Sequence, residues 1–205
     1  MLVLSGAFSM VLLDGVACAL LAAAAACRAR SLGAHFTGAI VLGCLCGILG
    51  PLLREAFLHG QAGTGPLAAQ LPGDALLGAL GALAATYILR KHGSRLFFWL
   101  DAASIGLASA VGAIYALQDL GIVGAVCLGL INGLAPGLVR DMALGDTAML
   151  VESDWYATAA AMGCVIAIAV LLWLSVGWVT EWTASHADEV SVLAGFCMVI
   201  LIRGT

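Results

Sequence analysis

The chain is predicted to be an all-α integral membrane protein. Seven transmembrane helices are expected, as two inverted three-helix repeats plus one, with the N-terminus outside and the C-terminus cytoplasmic. Three observations predict this. First, 63% of the 205 residues are hydrophobic and 10% are charged. Ordinary soluble domains carry about 25% charged residues, so this chain cannot cover a water-facing surface. Second, charge-poor runs recur at lengths near the roughly 20 residues that cross a hydrocarbon core of about 30 Å. Third, two of these runs, GCLCGILGPLLREAF at 43–57 and GLINGLAPGLVRDMA at 129–143, carry one unusual pattern of glycine, proline, arginine and acid.

The runs fall at about 2–27, 34–57, 71–89, 97–118, 121–144, 153–179 and 187–203. They are apolar on every face and far longer than the ten or so alternating residues of a barrel strand. The mean hydropathy of the whole chain is +1.10. The first run follows no basic segment and no cleavage motif, so it reads as a mature span. RARS follows it, and HGQAGTGPLAAQLPGD forms a long glycine- and proline-rich connection after the second. RKHGSR follows the third, QDLG makes a tight turn after the fourth, and GDTAMLVESD and EWTASHADE complete the connections. Frequent alanine and glycine suit close helix contacts in lipid.

Basic residues set the orientation. Arg28, Arg30, Arg90, Lys91, Arg95 and Arg203 all fall on one side if the N-terminus is outside. The positive-inside rule makes that side the cytoplasm. Trp99, Trp155, Trp178 and Trp182 lie near span ends, as interfacial anchors do, and Trp173 lies deeper. The seven cysteines lie in apolar runs without metal-ligand spacing and read as small packing residues. The net charge of -4 forms no basic run, which leaves nucleic-acid binding unsupported. No Ser-His-Asp grouping, phosphate loop or zinc spacing occurs, so no enzyme, cofactor or resident metal is expected.

The two patterned stretches align. Gly43, Gly47, Arg54 and Glu55 match Gly129, Gly133, Arg140 and Asp141 at one constant offset, and Gly50-Pro51 faces Pro136-Gly137. Asp14 matches Asp101 with one residue of slip. The chain is therefore divided into a first repeat over 1–95, a second over 96–180 and a last helix over 181–205. An odd number of helices per repeat makes the copies antiparallel, an arrangement that places pathways near the midplane.

Proline removes an amide donor and clashes with the preceding turn. Carbonyls freed in hydrocarbon need protein or water partners. The paired sites at Gly47, Gly50 and Pro51, and at Gly133, Pro136 and Gly137, read either as kinks lining a wet pathway or as kinks that aid packing. Asn132 reads either as a lining residue or as an interhelical hydrogen bonder. Intramembrane arginines face protein interiors. Depth permits Asp14 with Arg54 near one mouth and Asp101 with Arg140 near the other, as helix staples or as gates. Glu55 and Asp141 are expected to point about 100° from their arginine neighbours, to pair elsewhere or face water.

Seven spans as 3+3+1, with helix breakers before Arg-acid in the second and fifth, resemble the prokaryotic branch of the trimeric intracellular cation (TRIC) channel family. The resemblance covers almost the whole chain and is strongest in DAASIGLASAVGAIYAL, GLINGLAPGLVRDMALGD and WYATAAAMG. The family's three glycines before Arg-Asp are replaced here by ILGPLLRE and LAPGLVRD. The resemblance implies a homotrimer in the cell membrane, with one pore per protomer for monovalent cations, chiefly potassium. It implies membrane lipids as partners and places Gly47, Gly50, Pro51, Gly133, Pro136, Gly137, Asp14, Arg54, Asp101 and Arg140 about the pore. A secondary transporter of a small solute, such as an amino acid, is the alternative that inverted repeats also serve.

Overall fold

A computed structural model describes residues 2–59, 71–88, 93–148, 154–175 and 186–204. Its helices are α1 (Leu2–Ser31), α2 (Phe36–His59), α3 (Leu71–Ile88), α4 (Gly93–Leu144), α5 (Asp154–Ser175) and α6 (Ala187–Gly204). Among the described residues, four helical stretches are long and apolar enough to cross a membrane: Met10–Ser31, Phe36–Leu58, Phe97–Leu144 and Tyr156–Leu174. Leu76–Ala85 is a shorter apolar stretch.

The fourth and fifth expected spans are the two arms of α4. They meet at Gly121, whose φ of 66° and ψ of -176° interrupt the helix. That backbone conformation is essentially restricted to glycine. Contacts pair residues symmetrically about it: Ala113 with Gly129, Ser109 with Gly133, and Asp101 with Arg140. The arms therefore run antiparallel, and the expected QDLG turn is the hairpin.

Pro51 and Pro136 both lie inside continuous helix, and the interruption in α4 is at Gly121 rather than at Pro136. Each proline removes one amide donor without ending the helix.

Helix ends follow local chemistry. α1 continues through the RARS segment, so Arg28 and Arg30 sit in its last turn, where the helix dipole favours cations. Gly33, with φ of 87°, ends it: Ala34 N–H donates to Ala29 C=O and Gly33 N–H to Arg30 C=O. Gly145 ends α4 in the same way, with Asp146 N–H on Asp141 C=O and Gly145 N–H on Met142 C=O. Both are glycine-capped Schellman turns. At the start of α6, Asp188 and Glu189 occupy the first turn, which the dipole favours.

α1 and α4 organise the bundle. α1 packs on α2, α3 and α4, and α4 packs on α1, α2, α5 and α6. One core cluster joins Ala17 and Leu21 of α1 to Leu107, Ala108 and Val111 of α4, Ala167 of α5 and Val192 of α6. Small residues permit this close approach. A methyl group on Gly43 would lie 2.8 Å from Ala22 O, and one on Gly47 3.0 Å from Cys18 O. On the second arm of α4, one on Gly129 would lie 2.7 Å from Ser109 O, and one on Gly133 3.1 Å from Ile105 O. Trp99 and Trp173 are exposed on the outer surface. Trp178 and Trp182, and the side chain of Trp155, lie outside the described residues, as do Arg90 and Lys91.

Candidate functional site

Three levels of polar chemistry are buried along the contact of α1, α2 and α4. At the first, Arg54 of α2 meets Asp14 of α1. Arg54 Nη1 donates to Asp14 Oδ1 at 3.0 Å and Nη2 to Oδ2 at 2.5 Å. Both side chains are 1% exposed. This is a bidentate fork, the geometry that best satisfies a buried carboxylate. The Tyr115 ring lies 4.4 Å from the guanidinium carbon and adds a cation–π contact. Glu55 is completely buried beside it.

At the second level, Asp101 on the first arm of α4 faces Arg140 on the second. Arg140 Nη1 donates to Asp101 Oδ1 at 2.6 Å, and Arg140 Nε to Asp141 Oδ1 at 2.7 Å. Arg203, near the end of α6, donates from Nη1 to Asp101 Oδ2 at 3.0 Å. Tyr156 lies beneath Arg203, 4.7 Å from guanidinium carbon to ring centroid. Phe97 lies between two arginines, 5.0 Å from Arg140 and 5.3 Å from Arg28. Arg28 in turn donates from Nε to Asp146 Oδ2 at 3.0 Å. The two levels are well separated: Asp14 and Arg28 lie roughly 20 Å apart along α1 at about 1.5 Å per residue.

Between them lies an uncharged level. Asn132 Nδ2 donates to Ala108 O at 2.7 Å, which ties the two arms of α4 together. A methyl group on Gly50 of α2 would lie 2.9 Å from Asn132 O and 3.0 Å from its Oδ1. One on Gly112 would lie 2.7 Å from Asn132 Cβ. Asn132 is thus wedged between two glycines. Its Oδ1 and the nearby Ser109 Oγ are buried without a hydrogen-bond partner among the described residues.

The geometry joins Asp14 with Arg54 and Asp101 with Arg140, as depth along the spans suggested. Asp141 departs from expectation. It bonds its own neighbour Arg140, because the long Arg140 side chain folds back to present Nε to it. Neither Glu55 nor Asp141 faces water. Gly47 and Gly133 lie in helix packing against α1 and the first arm of α4. Gly50 faces Asn132, and a methyl group on Gly137 would lie 2.9 Å from Tyr156 Oη. Pro51 and Pro136 are buried. Sequence reasoning missed Arg203, Tyr115, Tyr156 and Phe97 as partners of the buried charges. The positive-inside pattern accounts for Arg203 without suggesting an inward role, and single aromatics in apolar helices carry no pairing signal.

Comparison with known proteins places this architecture. Residues 98–171 match the family model described as Glycine transporter. The UPF0126 membrane protein of Deinococcus radiodurans is 32% identical over 162 residues, covering 76% of this chain and 71% of that one. The UPF0126 inner membrane protein YadS of Escherichia coli K12 is 26% identical over 172 residues, covering 81% and 76%. Among solved structures, the TRIC channel orthologue from Rhodobacter sphaeroides superposes with a TM-score of 0.77 and 25% identity over 96% of this chain and 95% of that one. A prokaryotic TRIC channel in 0.5 M KCl gives a TM-score of 0.77 at 18% identity, over 95% of each chain. A multi-pass membrane protein with a UPF0126 relative at this identity and an end-to-end match to these channels, the chain belongs to the UPF0126 membrane proteins and to the TRIC channel family.

Proposed function

We propose that the protein is a passive cation channel of the cell membrane, with one potassium-permeable pathway in each protomer between α2 and the second arm of α4. The observation that carries this reading is the stack of three levels. Two buried Asp–Arg clusters flank an uncharged crossing where Asn132 meets Gly50 and Gly112. Pairing matters here. A lone arginine would repel a permeant cation, whereas a guanidinium held by a carboxylate presents little net charge. The uncharged oxygens of Asn132 and Ser109 are the kind of ligand that replaces a cation's hydration shell.

The inverted 3+3+1 arrangement belongs to the same proposal, with repeats over 1–95 and 96–180 and a last helix over 181–205. Matching contacts support it. Gly43 and Gly47 approach Ala22 and Cys18, as Gly129 and Gly133 approach Ser109 and Ile105, and Asp14 takes Arg54 as Asp101 takes Arg140. Seven crossings then follow from two three-helix repeats and a last helix, and the basic residues put the N-terminus outside. A homotrimer is proposed because the matched channels are described as trimeric. Pro51, Pro136 and Gly137 are read as the points where the lining helices yield.

A secondary transporter of a small solute such as an amino acid is the second reading; the family model matched over residues 98–171 is described as Glycine transporter, which makes glycine the solute to test. Planar-bilayer recording and liposome uptake separate the two. Discrete currents in potassium chloride that reverse near the potassium potential support the channel. Silent bilayers together with saturable glycine uptake would replace it with the carrier.

A further inference from the structure

Pro136 lies one helical turn after Asn132 on the second arm of α4. In a continuous helix the amide at 136 would donate to the carbonyl at 132. Proline has no N–H, so the Asn132 main-chain oxygen loses its helical donor. The side chain of the same residue presents a second such oxygen. Asn132 is 1% exposed, and its Oδ1 is buried without a hydrogen-bond partner among the described residues. The two oxygens converge. A methyl group on Gly50 of α2 would lie 2.9 Å from Asn132 O and 3.0 Å from Oδ1, so both face one point on α2. Ser109 Oγ, against the adjacent Gly133, is a third buried oxygen without a partner among the described residues.

Acceptors aimed at one place call for something positive between them. A water molecule could donate to both, but buried waters make about three hydrogen bonds. The nearby donor that could serve the water's own oxygen, Asn132 Nδ2, is already given to Ala108 O at 2.7 Å. A cation needs acceptors alone. Its class follows from the ligands. Neutral carbonyl and amide oxygens suit an alkali ion that trades its hydration shell for dipoles. Calcium and magnesium draw on carboxylates, and no group of three or more His, Cys, Asp or Glu able to hold a metal ion occurs among the described residues.

We propose that Asn132 binds one dehydrated monovalent alkali cation where α2 crosses the second arm of α4, through its Oδ1 and through the main-chain oxygen that Pro136 leaves without a donor. Gly50 belongs to the site, because any side chain there would fill the space in front of both oxygens. Pro136 then serves to expose a carbonyl rather than to end a helix. The inference deepens the channel reading and rests on it for the route by which an ion reaches this depth.

The test is thermal unfolding of the full-length protein in one detergent, with potassium chloride replacing choline chloride at about 0.2 M total salt so that screening stays constant. The wild-type melting temperature should rise saturably with potassium, by about 3–6 °C once the ion exceeds its dissociation constant about ten-fold. Asn132→Ala removes Oδ1 and should raise the half-maximal potassium concentration about ten-fold or more, the worth of one contact to a charged group. Pro136→Ala returns an N–H to the Asn132 carbonyl. It should weaken the potassium effect likewise without lowering the melting temperature in choline, which separates loss of a ligand from loss of packing. The two variants act on different oxygens, so one that fails to fold leaves the other as the test. A wild type equally stable in both salts overturns the inference and leaves these oxygens to water, while bilayer currents judge the channel reading separately. A potassium effect that survives intact in both variants also overturns it, since the ion then binds elsewhere. An effect lost in the variants upholds the site even if bilayers are silent, and silent bilayers then remove only the channel as its route.

Discussion

Truncating Arg54 tests the buried pair on α1 and α2 most directly. Arg54 and Asp14 are both 1% exposed and joined by two hydrogen bonds at 3.0 and 2.5 Å. Arg54→Ala removes both and leaves the Asp14 carboxylate buried among apolar residues. Breaking a buried pair from one side costs about 3–5 kcal/mol, because a charge remains without compensation. Loss of the Tyr115 contact adds about 1 kcal/mol. Asp14→Asn should cost less than Arg54→Ala, since a neutral amide still accepts one hydrogen bond. The Asp14→Leu, Arg54→Met double variant removes both charges and should fall within about 1–2 kcal/mol of wild type, as apolar replacements of buried pairs do. The assay is thermal unfolding of the purified protein in one detergent, with all four proteins compared. The reasoning fails if Arg54→Ala and the double variant lose the same stability, because desolvated unpaired charge would then not be the cause. In bilayers, Arg54→Ala and Arg140→Ala should change open probability more than cation preference, and unchanged gating in both would reduce the pairs to staples.

Three further outcomes are expected. Gly121→Ala places a side chain at φ 66° and ψ -176°, and should cost about 1–3 kcal/mol by thermal unfolding. Gly121→Asn should rescue little, because asparagine tolerates the left-handed helical region near ψ +47° and not this one. Gly112→Ala drives a methyl group to 2.7 Å from Asn132 Cβ and should cost about 1–3 kcal/mol. Asn132→Ala should not rescue it, since that Cβ remains, while Asn132→Ala alone should raise unitary conductance if the amide narrows the pathway. At the helix ends, the Arg28 guanidinium hydrogen-bonds Asp146 and holds its carboxyl below the usual carboxylate range. A depressed folded-state pKa contributes stability above the unfolded value of about 3.9, lost as pH falls through the folded value. Wild type should therefore exceed Asp146→Asn in melting temperature at pH 7, and the difference should begin to shrink as pH falls below about 4; a difference that is the same at pH 3 as at pH 7 would refute the pairing.

Much of this was legible along the chain. The apolar runs located the helices, since the backbone in hydrocarbon must satisfy its own hydrogen bonds. The paired GILGP and APG stretches, each followed by arginine and an acid, pointed to Asp14 with Arg54 and Asp101 with Arg140. Other features had no local signal. Asp141 turned to Arg140 because arginine flexibility overrides helix angle. The prolines stayed within continuous helix because loss of one amide donor does not by itself end a helix packed on both sides. The RARS segment joined α1 because Gly33 supplies the left-handed cap two residues beyond it.

Composition and spacing by themselves determined that this chain lives in a membrane, is helical, and repeats an arginine–acid motif at matching depths. Those properties depend on solvent and on period, which a linear chain records. Tertiary structure alone decided that Asn132 would sit between Gly50 and Gly112, that Phe97 would meet both Arg28 and Arg140, and that Arg203 would share Asp101. Each of these joins residues from different helices, or from opposite arms of one hairpin. Their meeting depends on which faces the packing of small residues turns inward, and the order of residues along one helix does not record that.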